Sequence, residues 1–276
     1  MNLFRRSFVF AVPLFCVTCF LFLSATVFAQ PTDEKTKDEQ IEFARDHKSP
    51  FLTYSISGGR KIAALNSNKP KLQIWPSGKI VCGGLTEDLE AELSEKELHK
   101  VVSELVKEKK IYELSAGSIQ KEIEKLEKKT FLYNVPTSKI ELNLKRGKHL
   151  LEIVGSELTL QQIPKLKEMK RAREIERFLE LVIARTVVGG QRQEKQVVAK
   201  INDALKAEYA KKYDAFKFED VKFATHHKGG RKQVTFERIV EDKEEKASFR
   251  LVGRYTKGAD GKESATVSRW GMPKMR

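Results

Sequence analysis

Two segments with the same spelling, GGRK at 58–61 and again at 229–232, are the residues of this chain best suited to hold a ligand. A glycine pair lets the chain turn tightly and bring successive amide N–H groups together, and the Arg and Lys that follow set positive charge at the mouth of that turn. Arg60, Lys61, Arg231 and Lys232 are therefore the candidate binding residues for an anion or an anionic partner: a sulfate, a phosphate or a carboxylate. The same four-residue pattern also suits a Gly-Gly hairpin turn with solvated cations on its flank.

The remaining reactive residue types are scattered. Cys82, in LQIWPSGKIVCGG (72–84), is the only cysteine beyond position 19; strand alternation sends it to a core, where a thiol without a base is inert. His226 and His227, in ATHHKGGRK, are the nearest pair of metal-type ligands. Neighbours on a strand point to opposite faces, so they do not share a metal, and a solvated strand end is expected. Asp46 and His47 are adjacent and do not face each other as an acid–base pair; Pro50 marks a loop leading into the fold. The chain holds no G-x-S-x-G, H-E-x-x-H, G-x-x-x-x-G-K-[ST] or G-x-G-x-x-G. The expectation is no enzyme: no catalytic residue, no metal ligand and no cofactor.

Positioning falls to strands and helices whose periodicities are clear. Leu72 and Ile74 alternate before Pro76-Ser77-Gly78, and Ile80 and Cys82 alternate after it. Pro76 presets the first turn residue and Gly78 accepts a positive φ, so Ile74 should face Ile80 and Leu72 should face Cys82. Ser94 and Glu97 form an S-x-x-E capping box ahead of a stripe of Leu98, Val101, Val102, Leu105 and Val106. A shorter helix is expected over 118–129. A second hairpin, with Ile140, Leu142 and Leu144 before Arg146-Gly147, pairs Leu144 with His149, Leu142 with Leu151 and Ile140 with Ile153, leaving His149 at the rim. After Pro164 a helix carries Leu166, Met169, Ile175, Phe178, Leu179, Val182 and Ile183, and Gly189 and Gly190 end it.

From about Gln193 the order changes. One helix, with Val197, Ile201, Leu205 and Tyr209 on one side, precedes strands marked by Val221 and Phe223, by Val234, Phe236 and Arg238, by Phe249, Leu251 and Tyr255, and by Ala265 and Val267. The fold class is therefore α+β: antiparallel hairpins covered on one face by helices, ending in a helix plus four-stranded meander in cystatin-like order. Residues 41–190 form an N-terminal domain of two hairpin–helix units and residues 191–276 a C-terminal domain.

Location follows from MNLFRR, the apolar run over 7–28 and the small residues Val27 and Ala29, which read as a secretory signal peptide over 1–29. The protein is expected to be exported, periplasmic or secreted, with no stable membrane span once the signal is cleaved. An uncleaved N-terminal anchor exports the rest equally. Residues 30–40 carry no large apolar side chain and form a flexible lead. With 52 Lys and Arg against 38 Asp and Glu the chain is basic, +14. In an exported protein that charge points to an anionic cell-envelope polymer or an acidic protein partner. No aromatic array alternates with the cations, so nucleic acid is not expected as a partner.

YSISGGRK (54–61), LQIWPSGKIV (72–81) and ELSEKELHKVVSEL (92–105) together resemble a module of bacterial exported proteins of unknown function. More distantly, the shared glycine pair, strand and helix order is similar to emfourin-like inhibitors of bacterial metalloproteases. That resemblance implies a secreted protease inhibitor as the alternative to a non-enzymatic binding module, and places no binding residue. A hydrolase with an unrecognised site is the third possibility.

Overall fold

The alternation read from the sequence builds two antiparallel sheets in a computed structural model, which describes residues 43, 48–59, 69–84, 86–125, 134–210, 212–242 and 247–271. The expected signal peptide, the lead over 30–40, Arg60, Lys61, Asp46, His47 and the end of the helix expected to 129 lie outside the described residues.

The first sheet contains β1 (Leu52–Gly58), β2 (Leu72–Ile74), β3 (Lys79–Cys82), β4 (Leu89–Glu92), β5 (Pro136–Leu144) and β6 (Gly147–Val154), in the order β4-β3-β2-β1-β5-β6. The β2–β3 register is Leu72 with Cys82 and Ile74 with Ile80, as the Pro76–Gly78 turn dictates. Gly78 adopts φ +90, and the Trp75 N–H donates to the Lys79 carbonyl at 2.9 Å. The β5–β6 register differs from expectation by two residues: Leu144 pairs with Gly147, Leu142 with His149 and Ile140 with Leu151. Lys145 and Arg146 make the turn, and Gly147 is spent as the first residue of the returning strand. A shift of two keeps every apolar side chain on its expected face, since side chains alternate with period two. β1 pairs with both hairpins, setting Leu52 opposite Ile74 on one side and Leu142 on the other.

Four helices accompany this sheet: α1 (Glu95–Ser103), running on into a π-helical turn over Glu104–Glu108, then α2 (Ala116–Glu124), α3 (Ser156–Gln162) and α4 (Lys167–Val188). The capping box of α1 is complete: the Glu97 N–H donates to Ser94 Oγ at 3.3 Å and the Ser94 N–H to Glu97 Oε2 at 3.0 Å. Leu98, Val101, Val102 and Leu105 are buried against the sheet, in one core with Leu52, Tyr54, Leu72, Ile74, Ile80 and Cys82.

The second sheet follows α5 (Gln191–Tyr209) and consists of β7 (Val221–His226), β8 (Lys232–Asp242), β9 (Ala247–Lys257) and β10 (Glu263–Gly271), in the order β10-β9-β8-β7. Val197, Ile201 and Leu205 of α5 are buried with Val234, Phe236, Phe249 and Leu251. A register shift between Val221 and Phe223 puts Val221 in this core and leaves Phe223 46% exposed, so the two do not share a face as simple alternation predicts. Helix α4 enters both cores, with Met169 to Val182 in the first and Ala184 and Val188 in the second.

The loop after β3 docks on the end of β7. The Lys228 N–H donates to Thr86 Oγ1 at 2.6 Å. A Cβ on Gly84 would stand 1.9 Å from the Glu87 carbonyl oxygen and 2.9 Å from that of His226, and one on Gly83 2.4 Å from the Pro70 oxygen. The glycine pair after Cys82 therefore exists for close backbone approach.

Candidate functional site

The second GGRK forms the β7–β8 turn. Gly229 and Gly230 take φ +78 and +82, the His227 N–H donates to the Arg231 carbonyl at 2.8 Å, and the Gly230 N–H to the His227 carbonyl at 3.2 Å. With the Lys228 amide held by Thr86, the turn's amides at Lys228 and Gly230 are engaged. Arg231 is exposed. Lys232 faces the α5 side of the sheet, opposite Lys257, and its Nζ lies 3.9 Å from where a Cβ on Gly189 would stand. Burial and then the charge of Lys257 push the Lys232 ammonium below the usual lysine range. Lys257 is itself paired with Glu263 at 3.1 Å. Gly58, of the first GGRK, ends β1 opposite Pro136, so the two motifs stand on different sheets.

His226 departs from expectation. Its position opposite Lys232 turns it inward, it is 7% exposed, and its Nδ1 has no hydrogen-bond partner and lies 3.9 Å from Glu87. The loop after β3 closes over a strand end that would otherwise be solvated. His227 Nε2 lies 3.3 Å from Thr225 Oγ1. Among the described residues no three His, Cys, Asp or Glu side chains are grouped to hold a metal.

Cys82 is 1% exposed, and burial pushes its thiol up to about 12, against a hydrogen bond with Thr186 that lowers it. At neutral pH no thiolate forms there.

One polar cluster escaped the sequence. Glu176, 3% exposed in the middle of α4, accepts hydrogen bonds from the hydroxyls of Ser156 and Ser138 and lies 3.3 Å from Arg173. Arg173 also meets Glu180 at 2.9 Å, and Arg177 meets it at 3.2 Å. A cavity of about 320 Å³ opens beside the cluster, lined by Tyr54, Ser138, Ser156, Glu157, Glu176 and Lys222 among others. Lys222 of β7 reaches Glu157 of α3 at 2.9 Å, tying the second sheet to the helix that follows β6. Burial holds the Glu176 carboxyl above the usual carboxylate range, although both serine hydroxyls and Arg173 favour its charged form. The signal in the sequence is slight: Ala172, Glu176 and Leu179 fall at i, i+4 and i+7, a single glutamate on an apolar stripe.

No protein-family model matches this chain, nor does any curated protein or solved structure.

Proposed function

We propose that this chain is an exported, non-enzymatic binding protein whose partner is an anionic polymer of the cell envelope, engaged at the β7–β8 turn. The observation that carries this reading is the trio Lys228, Arg231 and Lys232. Elsewhere on the same sheet Lys222 is matched with Glu157, Lys257 with Glu263 and Arg250 with Glu237. Among the described residues the trio has no such match within 4.0 Å. Unmatched cations at a loop tip are held ready for an external anion. An acidic patch on a protein partner meets the same requirement. Export rests on the N-terminal sequence; among the described residues no helix is long and apolar enough to cross a membrane.

Retention on immobilised dextran sulfate tests the reading. The protein should elute at high salt, and the double variant Arg231→Gln, Lys232→Gln at clearly lower salt, because each lost cation removes one screened contact. Elution at unchanged salt overturns it.

A hydrolytic reading draws on the Glu176 cavity, which combines a carboxyl with two serine hydroxyls. Both hydroxyls donate to Glu176, which is the group that would have to act as their base. Turnover of activated esters that is lost in Ser156→Ala would support it.

A further inference from the structure

The face of the second sheet turned away from α5 carries an ordered array that neither the turn cations nor the cores use. Pairing across the strands sets three rows. In the first, Phe223, Thr235, Arg254 and Thr266 lie side by side; in the second, Glu237, Val252 and Ser268; in the third, Ile239, Arg250 and Trp270. Phe223, Ile239 and Trp270 are 46%, 61% and 56% exposed. They are the only large apolar side chains of this sheet so exposed among the described residues.

The exposed groups are held in place. The Trp270 indole N–H donates to Ser268 Oγ at 3.0 Å, along the same strand and on the same face, which pins the ring against the sheet. Arg250, between Ile239 and Trp270, is fixed by Glu237 at 3.3 Å. Arg254 is exposed and has no ion-pair partner among the described residues. Of the face's own carboxylates, Glu237 is therefore occupied, and Glu241 stands at the far end beyond Ile239. Hydroxyls of Thr256, Ser264, Thr266 and Ser268 fill the rest. The strand span from Gln233 to Ile239 is roughly 20 Å at about 3.3 Å per residue, and Lys228 and Arg231 stand at its turn end.

We infer that this face, whose Thr235 and Val252 are buried between the exposed Phe223, Arg254, Ile239 and Trp270, is the binding track for an acidic polysaccharide, with sugar rings seated on Trp270 and Phe223 and their acid groups met by Arg254 and Arg231. The inference rests on the anionic-polymer reading above and names its chemistry. A pinned aromatic ring offers a flat apolar surface to the C–H face of a pyranose, and the side chain loses little freedom on binding. Hydroxyl-bearing Ser and Thr exchange hydrogen bonds with sugar hydroxyls at little desolvation cost. An unpaired, exposed Arg254 supplies the charge complement that a purely apolar partner would not need.

The test compares two polyanions that differ in having rings. Binding of the full-length protein to polygalacturonate and to linear polyphosphate is measured at one salt concentration. Trp270→Ala and Phe223→Ala should each weaken polygalacturonate at least fivefold and leave polyphosphate within twofold. Arg254→Gln should weaken both, and circular dichroism of each variant checks the fold. Aromatic variants that weaken neither polymer, or both alike, overturn the track. Tighter binding of single-stranded DNA than of polygalacturonate, lost in the same variants, overturns it in favour of a nucleic acid. Should Arg231→Gln with Lys232→Gln change neither polymer, the broader anionic reading falls instead.

Discussion

The hydroxyl of Ser156, at the start of α3, donates to the carboxylate of Glu176, at the middle of α4, in a site where the carboxyl is 3% exposed. The contact joins two helices and borders the cavity that Lys222 reaches from the second sheet. Burial of that carboxyl makes the stability of the protein depend on pH in a definite direction.

Glu176 has its folded pKa raised by burial. Its contribution is therefore fully present below the unfolded carboxylate value of about 4.3 and is lost as pH rises through the folded value. Glu176→Gln, which has no charge to bury, should flatten that dependence. Ser156→Ala removes a donor to the charged form and should cost roughly 1–3 kcal/mol, more at pH 8 than at pH 5. Urea denaturation at the two pH values measures both; a wild-type-like pH difference in Glu176→Gln contradicts the assignment.

Gly84→Ala and Gly229→Ala separate two uses of glycine. At Gly84 an added methyl meets backbone oxygens at 1.9 and 2.9 Å, and the loop must move; overpacking of this kind costs roughly 1–3 kcal/mol. At Gly229 space is open to 3.9 Å and only φ +78 is strained, a cost of about 1–2 kcal/mol. The Gly84 variant should also change the amide resonances of His226 and Lys228, across the loop contact. The Gly229 variant should leave those of Thr86 and Glu87 in place.

Cys82 should resist maleimide in native buffer and react stoichiometrically in urea, because both burial and the raised thiol pKa withhold the thiolate. The labelling rate then reports opening of the first core. Fast labelling without denaturant contradicts a buried Cys82.

Ser94→Ala removes the side-chain half of the α1 capping box: the Glu97 amide loses its acceptor and the Glu97 carboxylate loses the hydroxyl, while the backbone N–H at 94 still donates to Glu97 Oε2. A loss of about 0.5–2 kcal/mol in chemical denaturation is expected, with dextran sulfate retention unchanged. A concurrent loss of retention would tie α1 to binding.

What the sequence determined by itself is the content, and several ends, of the elements whose periodicity is clear; β1, β4 and α3 were not among them. Pro76 and Gly78 set the β2–β3 register, Ser94 and Glu97 start α1, and Gly189 ends α4, all through contacts within a few residues, which any copy of those segments would make. Period-two and helical spacing also assigned Cys82 and the α5 stripe to cores. Tertiary structure decided what depends on chain meeting chain. β1 pairs with two hairpins far apart in sequence. The β5–β6 turn sits one residue earlier than its glycine suggests. The shift at Val221–Phe223 turns Phe223 out while His226 comes in beneath the loop after β3. Glu176 is buried because Ser138 and Ser156 arrive from other elements to bond it, and Trp270, Arg250 and Ile239 form a row only once three strands pair. A local pattern gives a side chain's period along its own element; which neighbour that side chain then meets is fixed by packing between elements, where a one-residue change reverses the face.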